Sequence, residues 1–91
     1  MIIEWTLASK EDYWKNIEYL ENNWSEKEVL NFINKVDYSL HLLSKGNLIF
    51  TRSDYIDVYK MVIIKQITLY FSTENETIYL LESLSPWRST P

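Results

Sequence analysis

The spacing of apolar side chains changes period twice along this 91-residue chain, and the changes mark out its elements. Ile2 to Thr6 alternates, with Ile3 and Trp5 on one side and Ile2 and Glu4 on the other, which predicts a short strand. From Ser9 the period lengthens. Tyr13, Trp14, Ile17, Leu20 and Trp24 make one helical stripe, with Glu18 and Glu21 off it and facing water. Ser9 stands as the N-cap of this helix, and Asp12 holds the capping-box position three residues on. Asn22-Asn23 breaks the pattern. Ser25-Glu26-Lys27-Glu28 is a capping box for a second helix, with Trp24 and Val29 placed as a hydrophobic staple across its start. Its stripe is Val29, Phe32 or Ile33, Val36, Leu40 and Leu43. The stripe stops at Lys45-Gly46, where the only glycine of the chain falls at the left-handed C-cap position. Two helices joined by so tight a turn make an antiparallel αα-hairpin.

After Gly46 the period shortens again. Leu48 to Thr51 is apolar but short, and Arg52-Ser53-Asp54 punctuates it. Tyr55 to Ile64 reads as a strand with Ile56, Val58, Val62 and Ile64 on one side. Lys65-Gln66 makes a turn, Ile67 to Ser72 a second strand, Thr73 to Glu76 a second turn, and Thr77 to Leu84 a third strand. Sequential strands this close pair antiparallel, and the first strand is expected to join them. The fold class is therefore α+β. The order βααβββ places a two-helix antiparallel hairpin on one face of a small, mainly antiparallel twisted sheet. Residues 1–91 make a single domain.

Composition narrows the chemistry. Aromatic residues make up 15% of the chain, with 4 Trp, 7 Tyr and 3 Phe, more large rings than so small a core encloses easily. Some are expected to be partly exposed, where aromatics often mark a partner surface, unless they simply substitute for core volume in a chain with one glycine and few alanines. The net charge is −4, with 13 acidic residues against 9 basic, which argues against a broad phosphate-gripping face. There is no cysteine, so disulfides and thiolate metal sites are excluded. A single glycine excludes a Gly-rich phosphate loop. His41 lies between Leu40 and Leu42 late in the second helix with no second histidine to share a metal, so it reads as a surface or half-buried helix residue. No cofactor is expected. No apolar run approaches the roughly 18 residues a membrane helix needs, so no membrane is expected and the expected location is the cytoplasm.

Four marks stand in order along the chain: Glu4-Trp5-Thr6; Tyr19-Leu20-Glu21 with Trp24-Ser25; Val62-Ile63, Lys65-Gln66 and Thr68-Leu69-Tyr70-Phe71; and a terminal segment from Leu84 ending in Arg88 and Pro91. In this order and spacing the chain resembles the ParE/RelE superfamily of small bacterial toxins from type II toxin–antitoxin pairs. The resemblance implies a cognate antitoxin as partner, a toxin–antitoxin heterotetramer as one form of assembly, and inhibition of growth.

The family has two branches with different requirements. One resembles RelE and cuts messenger RNA in the ribosome, which needs cations along the sheet and a group near the C-terminus to act on the reacting oxygens. Here the second-strand segment is Tyr59-Lys60-Met61-Val62-Ile63, with Tyr59 at the usual arginine position. The terminal segment offers Trp87 and Arg88 but no Tyr or His. Lys60, Lys65 and Arg88 remain as weak catalytic candidates, with Arg52 near them in sequence. The other branch resembles ParE and acts by binding DNA gyrase, and the thin ribonuclease set is compatible with it. The resemblance thus points to a ParE-like toxin ahead of a ribosome-dependent endoribonuclease, or a toxin fold without toxicity.

Two further residues have both a binding and a structural reading. Arg88 suits a phosphate or carboxylate of the target, or it pins the tail to Asp57 or Glu82; Ser89 departs from the glutamine the family usually carries after this arginine. Tyr59 and Tyr70 are ordinary sheet residues before they are base-stacking platforms. Tyr13, Trp14, Tyr38 and Trp87 are the expected seat of the antitoxin.

Overall fold

Thr6 ends the first strand and starts the first helix with one side chain. The computed structural model describes residues 1–46 and 50–84. In it, strand β1 (Ile2–Trp5) runs directly into helix α1 (Leu7–Asn23), whose N-cap is Thr6. The Thr6 hydroxyl accepts from the Ser9 N–H at 3.2 Å, and the Ser9 hydroxyl donates to the Thr6 carbonyl at 2.8 Å. The helix thus starts two residues before the expected cap at Ser9, because Thr6 satisfies the first-turn donors sooner.

The buried face of α1 is also not the expected stripe. Ser9, Asp12, Asn16, Ile17 and Leu20 turn inward, while Trp14 and Trp24 stand exposed. Three polar residues spaced 9, 12 and 16 form the first half of this face, and apolar residues the second. Hydrophobic spacing alone cannot find such a face, since its first half is polar. Asp12 is no capping-box residue. Its carboxylate accepts the backbone N–H of Ser83 at 2.9 Å in a buried position.

Helix α2 (Glu26–Lys45) follows its stripe closely. Val29, Phe32, Val36 and Leu43 are buried and Ile33 and Leu40 pack beside them. Gly46 closes it in the left-handed conformation at φ 70°, with its N–H on the Leu43 carbonyl, as the lone glycine predicts. Ser25 is the N-cap by position, but its side chain makes no capping bond.

The sheet has the order β1-β5-β4-β3-β2, where β2 is Thr51–Arg52, β3 Tyr59–Ile64, β4 Ile67–Glu74 and β5 Thr77–Leu84. β1 joins it as expected, at the edge and parallel to β5, while the other pairs are antiparallel. The helix-facing side carries Ile63, Ile67, Leu69, Phe71, Ile78 and Leu80, which complete the core with Ile17, Leu20, Val29, Phe32, Val36 and Leu43. This is the α+β arrangement expected from the periods, with two helices on a five-stranded, mostly antiparallel sheet.

Two strand boundaries differ from expectation. β3 begins at Tyr59 and not Tyr55, because residues 53–58 close on themselves. The Ser53 N–H and hydroxyl both donate to the Val58 carbonyl, at 2.9 and 2.8 Å, and the hydroxyl accepts from the Tyr55 N–H at 3.0 Å. Asp57 sits at φ 59°, outside any strand conformation. Ile56, expected on a buried strand face, is 91% exposed at this tip, and Val62 also faces out while Ile63 is buried. The turn between β4 and β5 is only Asn75-Glu76, both at positive φ, as a two-residue type I′ hairpin requires.

Candidate functional site

The helical side gathers aromatic rings around the end of β1. Tyr13 on α1 packs edge-on against Trp5 at 5.4 Å and against Trp14 at 5.6 Å between ring centroids, and lies tilted on Phe32 of α2 at 5.7 Å. Each such contact contributes about 0.5–1.5 kcal/mol beyond area burial, so the four rings hold one another in place. Trp5, Lys10, Tyr13 and Trp14 line a recess of about 240 Å³. Tyr13 is half-buried, and burial first and the Asp37 carboxylate second push its phenol above the usual tyrosine range, so it is a neutral donor at physiological pH. Trp14 is 65% exposed and Tyr38, on α2, is 61% exposed. The fold therefore brings Tyr13 and Trp14 into one surface and adds Trp5. The signal for Trp5 was its strand alternation, which put it on the buried side of β1. Trp87, the fourth expected member, and Arg88 lie outside the described residues.

The opposite side of the sheet faces away from the helices. Cross-strand register places Lys60 opposite Tyr70 and Tyr70 opposite Glu82, one row across β3, β4 and β5. Tyr55 reaches over this row from the 53–58 loop and meets Tyr70 edge-on at 6.3 Å. Tyr55, Val58, Tyr70, Leu81 and Glu82 line a second recess of about 250 Å³. Lys65 is exposed in the β3–β4 turn. Lys60 lies within β3 and Lys65 in the turn after it, so the cross-strand row that holds Lys60 does not hold Lys65. Arg52 places its guanidinium 5.8 Å over the Tyr59 ring on the helix-facing side of β3. That distance is within cation–π range. Tyr59 packs on Phe50 and Phe71, at 5.4 and 5.8 Å, so this half-buried ring rests against the core.

The site also contains a device the apolar pattern hid. Beyond Trp5 the neighbour strand ends, and β5 continues with its edge groups facing α1. The Thr6 hydroxyl donates to the Leu80 carbonyl at 2.6 Å, and Asp12 takes the Ser83 N–H. Between these two points Leu81 is an extra residue, since Tyr70 pairs with Glu82 while Phe71 pairs with Leu80. The bulge bends β5 and sends Leu81 and Glu82 to the outer recess together. His41 is exposed on α2, as its lone position implies.

Neither family models nor curated proteins match the sequence. Solved structures match the fold. A chain of the chromosomal ParDE TA system from P. aeruginosa superimposes with a TM-score of 0.76 at 12% identity, covering 93% of this chain and 95% of that one. A copper-bound mutant toxin from Helicobacter pylori gives 0.68 at 12% identity, over 99% of both chains. A chain of the E. coli DinJ-YafQ toxin–antitoxin complex gives 0.65 at 10% identity, over 98% of this chain and 96% of that one. The ParE/RelE resemblance read from the sequence is matched at the level of the fold, end to end. No helix among the described residues is long and apolar enough to cross a membrane.

Proposed function

We propose that this chain is the toxin of a type II toxin–antitoxin pair, ParE-like in action, which stops growth by binding a macromolecular target, DNA gyrase, and is neutralised by a cognate antitoxin. The observation that carries the reading is the end-to-end fold match to chains of toxin–antitoxin systems. The antitoxin would lie on the ring cluster of Trp5, Tyr13 and Trp14, held in place before a partner arrives, and on the exposed Tyr38 of α2. A bacterial origin, a cytoplasmic location and a toxin–antitoxin heterotetramer go with this reading, and Arg88 is assigned to the target. The acidic balance of the chain, −4, and Tyr59 at the position where the resemblance implies an arginine support binding over phosphodiester cleavage.

A second reading rests on the Lys60–Tyr70–Glu82 row, which sets an ammonium, a phenol and a carboxyl on one open sheet face. It is the ribosome-dependent endoribonuclease. Expressing the chain from a repressed promoter and measuring growth, plasmid supercoiling and message ends separates the readings. The expected result is arrest with slowed supercoiling and intact messages. Codon-phased message ends that vanish in Lys60→Ala would establish the second reading, and undisturbed growth would leave a toxin fold without toxicity.

A further inference from the structure

The 53–58 loop projects the most exposed large apolar side chain among the described residues, Ile56 at 91%, beside Tyr55 at 67%. This loop is not a loose one. Ser53 ties both ends of it through its N–H and hydroxyl, and the Val58 N–H reaches the Tyr55 carbonyl at 3.3 Å. Asp57 is held at positive φ inside it. A local conformation of this kind persists where the surroundings enforce it, and it presents Ile56 with little entropy left to lose on burial.

The recess next to this knob is lined by Tyr55, Val58, Tyr70, Leu81 and Glu82 and measures about 250 Å³. Roughly 150 Å³ of apolar space already takes a benzene molecule, so an isoleucine side chain fits. Knob and hole share Tyr55 and Val58 as neighbours in the chain. That adjacency is what a two-fold interface needs, since each copy must offer both halves of the contact on one patch. Charge favours the same occupant. The loop, the strand beside it and the recess carry two cations, Arg52 and Lys60, and three anions, Asp54, Asp57 and Glu82, so this patch holds one net negative charge of the chain's −4. A second acidic copy meets little repulsion where the local charge nearly cancels, and a two-fold can set the anions of one copy against the cations of the other.

We infer that a second copy of this chain docks on the outer sheet face, with Ile56 of each copy in the Tyr55–Tyr70–Leu81 recess of the other. The contact is independent of the antitoxin surface, which lies on the helical side of the molecule. Sedimentation velocity on the purified chain over a range of concentrations up to about 1 mM tests it. Reversible dimerisation is expected. Ile56→Asp should raise the dissociation constant at least about tenfold, with an unchanged thermal midpoint at concentrations where the parent is monomeric, because Ile56 is 91% exposed within its own copy. Ile56→Val keeps the knob and should stay within a few-fold of the parent. Leu7→Asp, at an equally exposed apolar position on α1, should change nothing. A parent chain that stays monomeric throughout, or a dimer that tolerates Ile56→Asp as well as it does Leu7→Asp, would overturn the inference.

Discussion

The two helix starts show opposite relations between local sequence and tertiary structure. Ser25 has every local credential of a cap, with Glu28 in the reciprocal position, yet its side chain makes no capping bond. Thr6 has only its residue type: leucine, alanine and serine follow it, so no Glu or Gln stands in the reciprocal position, and α1 has no acidic residue in its first turn. Nevertheless its hydroxyl accepts from Ser9 and donates to Leu80 of a strand 74 residues away. A helix between two solvated ends can be capped by water. A helix whose first turn faces a bulged strand must satisfy that strand as well as itself, and only a side chain with a donor and an acceptor does both. The α1 start is thus defined by β5, and the α2 start by its own apolar stripe.

That contrast can be broken by substitution. The largest effect is expected at Asp12. Asp12→Ala strands the buried Ser83 N–H and removes a charge-assisted bond, which should cost about 3 kcal/mol. At this chain length that lowers the thermal midpoint by on the order of 15 °C, measured by circular dichroism. A shift below a few degrees would show that the strand edge does not depend on α1. Thr6→Ala should cost about 2 kcal/mol, the cap and the Leu80 bond together. The double variant should lose less than the two single losses added, by about 0.5–1 kcal/mol, because both residues hold the same stretch of β5. Simple additivity in chemical denaturation would mean that Thr6 acts on the helix alone. The smallest effect belongs to Ser25→Ala, below about 0.5 kcal/mol, since no capping bond is lost. A loss of 1 kcal/mol or more would restore the capping box in solution.

The same distinction explains how much could be read from the sequence. The α2 stripe, the Gly46 stop, the Lys65-Gln66 turn and the β4–β5 strand pair were legible because each depends on residues within a few positions of one another. Asp12 was read as a capping residue because the group it serves, the Ser83 N–H, is far along the chain. Tyr55 to Ile64 read as one strand because the alternation of apolar residues does not reveal that the Ser53 side chain folds 53–58 into a loop. Tyr13 and Trp14 were singled out by surplus aromatic content, while their packing with Trp5 needed the three-dimensional meeting of β1 with α1.

One pairing has a consequence in time. β1 lies against β5 with Ile2 beside Thr77 and Trp5 beside Leu80. Closing a loop of this length carries an entropic cost near 4 kcal/mol before its contacts return anything. The αα-hairpin and the β3–β4–β5 meander close over short spans and should form first, leaving β1 to dock last. On a ribosome adding about 5–20 residues per second, several seconds pass between the emergence of the two strands. During that interval the ring of Trp5 has no sheet beneath it, and the aromatic surface on which the proposed antitoxin would lie is incomplete. An antitoxin that needs this surface would then recognise only a chain whose last strand is in place.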